Sequence, residues 1–118
     1  MPVQRDYILR LLEQAAAVLR RLRELLGAGT AEPAVIVAEA HAAQAALFGD
    51  TWMLLQQVDV ATATGLIRDS RQLSLWADLL RVEAEANRSL GDAERAEHLE
   101  TRAAGIAAAA LRAKASSQ

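Results

Sequence analysis

The sequence has no cysteine. That excludes a disulfide framework, a thiolate nucleophile and a thiolate metal ligand, and it fits a reducing, cytoplasmic setting. Proline occurs twice and glycine six times in 118 residues, so few positions interrupt regular structure. Lysine occurs once, and the formal net charge is only −2. The chain therefore lacks the basic footprint of a nucleic-acid binder. Long apolar runs are also missing. The opening is broken by Arg5, Asp6, Arg10 and Glu13, which excludes a secretory core segment. The most apolar window, Thr51 to Ile67, contains Gln56, Gln57 and Asp59, so no membrane span is expected.

What is present is alanine and leucine, 27 and 18 residues respectively. These are the strongest helix formers, and their sum predicts an all-α protein. The twelve arginines beside so much alanine point to a GC-rich bacterial genome rather than to recognition. One domain is expected from the length.

Hydrophobic spacing predicts a long first helix over about 5–26. Ile8, Leu12, Ala15, Leu19, Leu22 and Leu26 form its packing seam, with steps of three and four residues. Leu11, Val18 and Leu25 widen the apolar face beyond a two-stranded seam, as a helical bundle requires. Asp6–Arg10 and Arg20–Glu24 are spaced for ion pairs on the outer face. Five arginines against three acids give this helix too small an excess for a membrane-surface helix. Gly27 is expected to end it, Thr30 to cap a second helix with Pro33 in its first turn, and Asp50 or Thr51 to cap a third. Gly27-Ala28-Gly29-Thr30 has no lysine and follows a helix, so it reads as a turn rather than a phosphate loop.

Asp59 to Ile67 carries valine, threonine and glycine, yet Asp59 is placed to cap a short helix there. A C-terminal helical hairpin is expected over about 70–113, turning at Gly91-Asp92 and fraying from Ala113 onward. Its first helix has two stripes, Leu73, Trp76, Leu80, Ala84 and Asn87, and Leu75, Leu79, Val82, Ala86 and Leu90. Its second has a seam of mostly small residues, including Ala96, Leu99, Ala103, Ile106 and Ala110. The expectation is a bundle of about five or six helices.

Charge is unevenly placed. Residues 27–67 hold only Glu32, Glu39, Asp50 and Asp59, whereas residues 68–118 carry eight basic and eight acidic side chains. A charge-poor middle predicts helices covered on more than one side, by this chain, by a second copy with a dimer favoured, or by another protein.

Candidates for chemistry are sparse. His41 has Glu39 at i−2, on a different helix face; His98 has Glu94 at i−4 but lies off the seam of its helix. His98 reads as a solvated surface histidine, and no catalytic, metal or cofactor site is expected. With few nucleophile–base combinations available, an enzyme is not expected either. Trp52, Leu55, Gln56 and Trp76 are the candidate interface or pocket residues. Trp76 sits on a core stripe, and Trp52 is weighed as core or as an interface anchor. The functional expectation is a non-catalytic scaffold or adaptor acting through self-association or protein binding. The alternative is a small-molecule binder with an apolar pocket lined by Trp52, Trp76, Gln56 and Gln57, and the third reading is a metal-dependent enzyme using His98 or His41.

Two resemblances bear on these expectations. Leu75 to about Ala110, with Leu80, Ala84, Leu90-Gly91-Asp92, Ala96 and Ala103, resembles a single tetratricopeptide hairpin. It departs from that pattern at Glu83, Asn87 and Glu100, where large apolar residues are usual, and one hairpin implies no peptide-binding groove. The opening Arg5-Asp6-Tyr7-Ile8-Leu9-Arg10-Leu11-Leu12-Glu13-Gln14 resembles that of a family of small uncharacterised bacterial helical proteins. Members share such an opening and a C-terminal hairpin, and the likeness implies no function.

Overall fold

The structure, a computed structural model, describes residues 2–116. It is all-α: α1 (Pro2–Ala28), α2 (Pro33–Phe48), α3 (Trp52–Gln57), α4 (Val60–Leu66), α5 (Ser70–Ser89) and α6 (Ala93–Ser116), with a single 3₁₀ turn at Gly49–Thr51. Among the described residues no helix is long and apolar enough to cross a membrane.

The helix ends show which local signals prevail. α1 runs two residues past its expected end at Leu26, because the left-handed residue is Gly29 (φ 66°) and not Gly27. The Gly29 N–H donates to the Leu25 carbonyl at 3.0 Å, the single bond of an αL cap. Thr30 does not cap α2. Pro33 occupies the first turn and holds Glu32 extended, so Glu32 becomes the N-cap without a side-chain bond. Neither Asp50 nor Thr51 caps α3 through its side chain, because the chain enters that helix from the 3₁₀ turn with helical dihedrals.

Asp59, by contrast, caps α4: its Oδ1 accepts from the Thr62 N–H at 2.7 Å, which makes the ambiguous segment helical. α5 ends in a Schellman motif, with Gly91 at φ 86°, the Gly91 N–H on Arg88 O and the Asp92 N–H on Asn87 O. Asp92 then caps α6, accepting from the Arg95 N–H at 3.0 Å. α6 stays helical through Ser116, past the point where fraying was expected; Ser117 and Gln118 lie outside the described residues.

Asp69 caps α5 through the Arg71 and Gln72 N–H groups and pairs with the Arg71 guanidinium at 2.8 Å. The bond from the Arg71 side chain holds the Asp69 carboxyl below its ordinary range; burial opposes it, and the Arg71 and Gln72 backbone donors add to the lowering. A depressed folded-state value stabilises the fold above the unfolded carboxylate range near pH 4 and is lost as pH falls through the lower folded value. Asp69→Ala is expected to cost about 1 kcal/mol at neutral pH, and less in acid, by urea titration at both pH values. An equal cost at both would show that the charge plays no part.

α5 is the central helix, packed on α6, α2 and α1. Its two stripes serve two clusters. Leu73, Trp76, Leu80 and Ala84 join Phe48, Trp52, Leu55, Leu99 and Ile106; Leu79, Val82 and Ala86 join Leu19, Leu22, Ile36 and Ala40. Leu90, expected on the second stripe, is exposed. Ala84, Ala96 and Ala103 have no exposed surface, and such small residues let α5 and α6 approach closely. On α1, Leu12, Ala15, Leu19 and Leu22 are buried, while Ile8 and Leu26 at the ends of the seam are half-buried.

Among the described residues the intrahelical ion pairs of α1 do not form. Arg21 pairs with Glu39 and Arg23 with Asp78, so these arginines reach across to α2 and α5. Both arginines are over half exposed, and such pairs contribute little. The charge-poor middle is buried on its inner side by Ile36, Ala40, Ala43, Leu47, Trp52, Leu55 and Ala63, whereas Val35, Met53, Leu54 and Leu66 face outward.

Candidate functional site

Four helices each contribute one stripe to a single cleft. α2 places His41 and Gln44, three residues apart; α3 places Trp52 and Gln56, four apart. α5 supplies Trp76, Leu80 and Glu83, and α6 supplies Arg95, His98, Leu99 and Arg102. Spacings of three and four put each set on one helix face. The cleft encloses about 110 Å³.

Its floor is aromatic and polar together. Trp76, 1% exposed, meets Phe48 edge-on at 5.0 Å and Trp52 edge-on at 6.2 Å between ring centres. Phe48 and Trp52 stack nearly parallel. The Trp76 indole N–H donates to Gln44 Oε1 at 3.2 Å, and Gln44 Nε2 donates to Glu83 Oε1 at 2.8 Å and to the Ala40 carbonyl at 3.1 Å. Gln44 is thus buried with its amide bonded at both ends, which removes most of the cost of burying it.

Glu83 is the unusual member. It is 3% exposed, and a carboxylate so deep is stable only with partners. Gln44 serves Oε1. Arg95 Nη2 stands 4.0 Å from Oε2, too far for a hydrogen bond. No fully buried side-chain oxygen or nitrogen among the described residues lacks a hydrogen-bond partner, so Oε2 faces the opening of the cleft.

The rim is made by exposed side chains. The Gln56 amide lies 3.1 Å from His41 Nε2, and the His41 ring meets Trp52 edge-on. His98 and Arg95 border the other side, on α6. Arg102 is engaged structurally. Its guanidinium lies over the Trp76 ring at 5.5 Å and donates to the Leu55 and Val58 carbonyls at 2.5 and 3.1 Å, closing the C-terminal end of α3. Burial holds its pKa below the ordinary arginine value, with Asp59 opposing that effect and Arg95 adding to it.

The sequence-derived candidates divide accordingly. Trp52, Gln56 and Trp76 line the cleft. Leu55 lies beneath it, fully buried, and touches the site only through its carbonyl. Gln57 is exposed and outside the lining. Trp52 is 8% exposed and packs against Phe48 and Trp76, so of its two weighed roles it takes a core position at the cleft wall. His98 is solvent-exposed, as the sequence reading has it, and so is His41; the fold brings these two histidines, 57 positions apart, to one opening. Gln44, Arg95 and Arg102 carry no sequence signal. Glu83 does: it is one of the departures from the tetratricopeptide-like pattern. Among the described residues no group of three or more His, Asp or Glu is arranged to hold a metal ion.

The fold and the cleft define an all-α protein with a polar, aromatic-floored opening between four helices. No family model matches the chain, and no curated protein or solved structure matches it.

Proposed function

We propose that the protein is a non-catalytic binder of a small molecule, held in the cleft between α2, α3, α5 and α6. The observation that carries this reading is the chain Trp76–Gln44–Glu83, ending in a carboxylate oxygen without a donor at the opening. An apolar residue at position 83 would pack against the same neighbours without the desolvation cost of a carboxylate. A charge kept there suits recognition of a ligand better than packing. The site differs from the apolar pocket of the sequence expectation, because glutamate, glutamine, arginine and two histidines share it with the indoles.

Native mass spectrometry of gently purified protein tests this directly. A copurified small mass, lost on denaturation, is the expected result. Protein free of any adduct, whose tryptophan fluorescence responds to no member of a small-fragment library, would overturn the reading.

A second reading is self-association, a dimer first, or protein binding through the outer side of the charge-poor middle. Met53 is 69% exposed and Val35 and Leu54 about half, more apolar surface than a stretch so short of charge needs. The same spectrum reports subunit number, and a monomer across the micromolar range would remove the dimer.

A further inference from the structure

We propose that the ligand is a small zwitterion of amino-acid size, with its ammonium group on Glu83 Oε2 and its carboxylate on Arg95; this rests on the cleft being a ligand site. The two protein charges stand side by side without satisfying one another. At 4.0 Å, Arg95 and Glu83 are at the limit of an ion pair, and the Arg95 side chain makes no hydrogen bond among the described residues. It is also 49% exposed, so its donors point into reach of solvent and ligand, whereas Glu83 is nine-tenths or more buried.

That arrangement discriminates by charge. A bare ammonium ion approaching Glu83 also meets Arg95, and a bare carboxylate approaching Arg95 also meets Glu83. Like charges at such range are costly where water is scarce. A molecule carrying both groups a few bonds apart fills both vacancies at once, and charge-assisted bonds of this kind are the stronger class. Size agrees. The cleft's 110 Å³ is somewhat smaller than an engineered cavity of about 150 Å³ that admits benzene, so it suits a body of about five to seven heavy atoms, glycine to serine. Trp52, Trp76, Leu80 and Leu99 form dry walls around that space. His41, Gln56 and His98 at the rim offer hydrogen-bonding groups to whatever the ligand carries outward.

Both tryptophans of the chain line the cleft, so intrinsic fluorescence reports occupancy. Protein refolded from denaturant to strip any copurified molecule is titrated with L-alanine, ethylamine and propionate at neutral pH. The expected result is a saturable change with L-alanine, and binding about tenfold or more weaker for the two half-molecules, a gap of about 1.4 kcal/mol or more. Glu83→Gln and Arg95→Gln are each expected to weaken L-alanine by a similar factor. Arg95 is exposed, so its variant keeps the fold; circular dichroism verifies this for Glu83→Gln. Ethylamine or propionate binding as well as L-alanine would overturn the zwitterion, as would unchanged binding in Arg95→Gln. A silent L-alanine titration beside a persistent copurified mass would remove the ligand class and leave the ligand site standing. Silence in both would remove both.

Discussion

Trp76→Ala is expected to lower the unfolding free energy by about 3–5 kcal/mol, as read from the urea midpoint at constant slope. The indole is almost wholly buried at the meeting point of α2, α3, α5 and α6. Its removal leaves a cavity between Phe48, Trp52 and Leu80, and deprives Gln44 Oε1 of its only donor. It also takes away the surface beneath the Arg102 guanidinium. Against a total stability of about 5–15 kcal/mol for a domain of this kind, the variant approaches the threshold of folding. Trp76→Phe separates the two causes. It keeps an apolar ring but loses the N–H and part of the indole's volume, so it should cost less than alanine and at least the about 1–3 kcal/mol of a buried acceptor left without a partner. Equal costs for alanine and phenylalanine would mean that the hydrogen bond, and not the packed volume, carries the effect.

Leu22→Ala is expected to cost about 2–5 kcal/mol. Leu22 has no exposed surface and belongs to the other cluster, where α1 packs on α2 and α5 through Leu19, Ile36, Leu79 and Val82. None of the residues in its cluster contributes a side chain to the cleft lining. Ligand affinity measured well below the unfolding midpoint should therefore be unchanged, whereas Trp76→Ala should abolish it. A loss of affinity in Leu22→Ala at full helical content would show that the α1 packing and the cleft are coupled. Little change in its midpoint would show that α1 is held chiefly by its exposed pairs to Glu39 and Asp78.

Much of the architecture is legible in the chain because helices announce themselves locally. Periodicity of three and four residues locates α1, α5 and α6, and bonds made within a few positions let Asp59 mark the start of α4 and Gly91-Asp92 the turn between α5 and α6. Errors at Gly27 and Thr30 arose where two local signals competed. Gly29 had the same conformational freedom as Gly27 and sat at the end of the last hydrogen-bonded turn, while Pro33 fixed the helix start closer than Thr30 allowed. Ion pairs failed for another reason. Arg20–Glu24 is well spaced on an isolated helix, but its neighbours Arg21 and Arg23 reach acids on α2 and α5 that sequence distance hides.

The cleft lies at the opposite extreme. Each of its stripes is visible as helical spacing, but which stripes face one another is set by how α2 and α3 seat on the α5–α6 hairpin. His98 looks solvated when its helix is read alone, and both it and His41 are exposed; their shared opening is a property of two helix faces, not of either sequence neighbourhood. Gln44 looks like any polar residue in an alanine-rich helix until Trp76 and Glu83 reach it from α5.

By itself, then, the sequence determined the all-α class, the helix boundaries to within a few residues and the faces turned inward, since propensity, capping and hydrophobic period act over one or two turns. Only the tertiary structure decided that Glu83, Arg95, Gln44 and the two histidines share one cleft. Hydrogen bonds across 32 and 39 positions, and a charge pair that spans a turn between two helices, depend on the packing of whole helices, and short-range pattern carries no record of it.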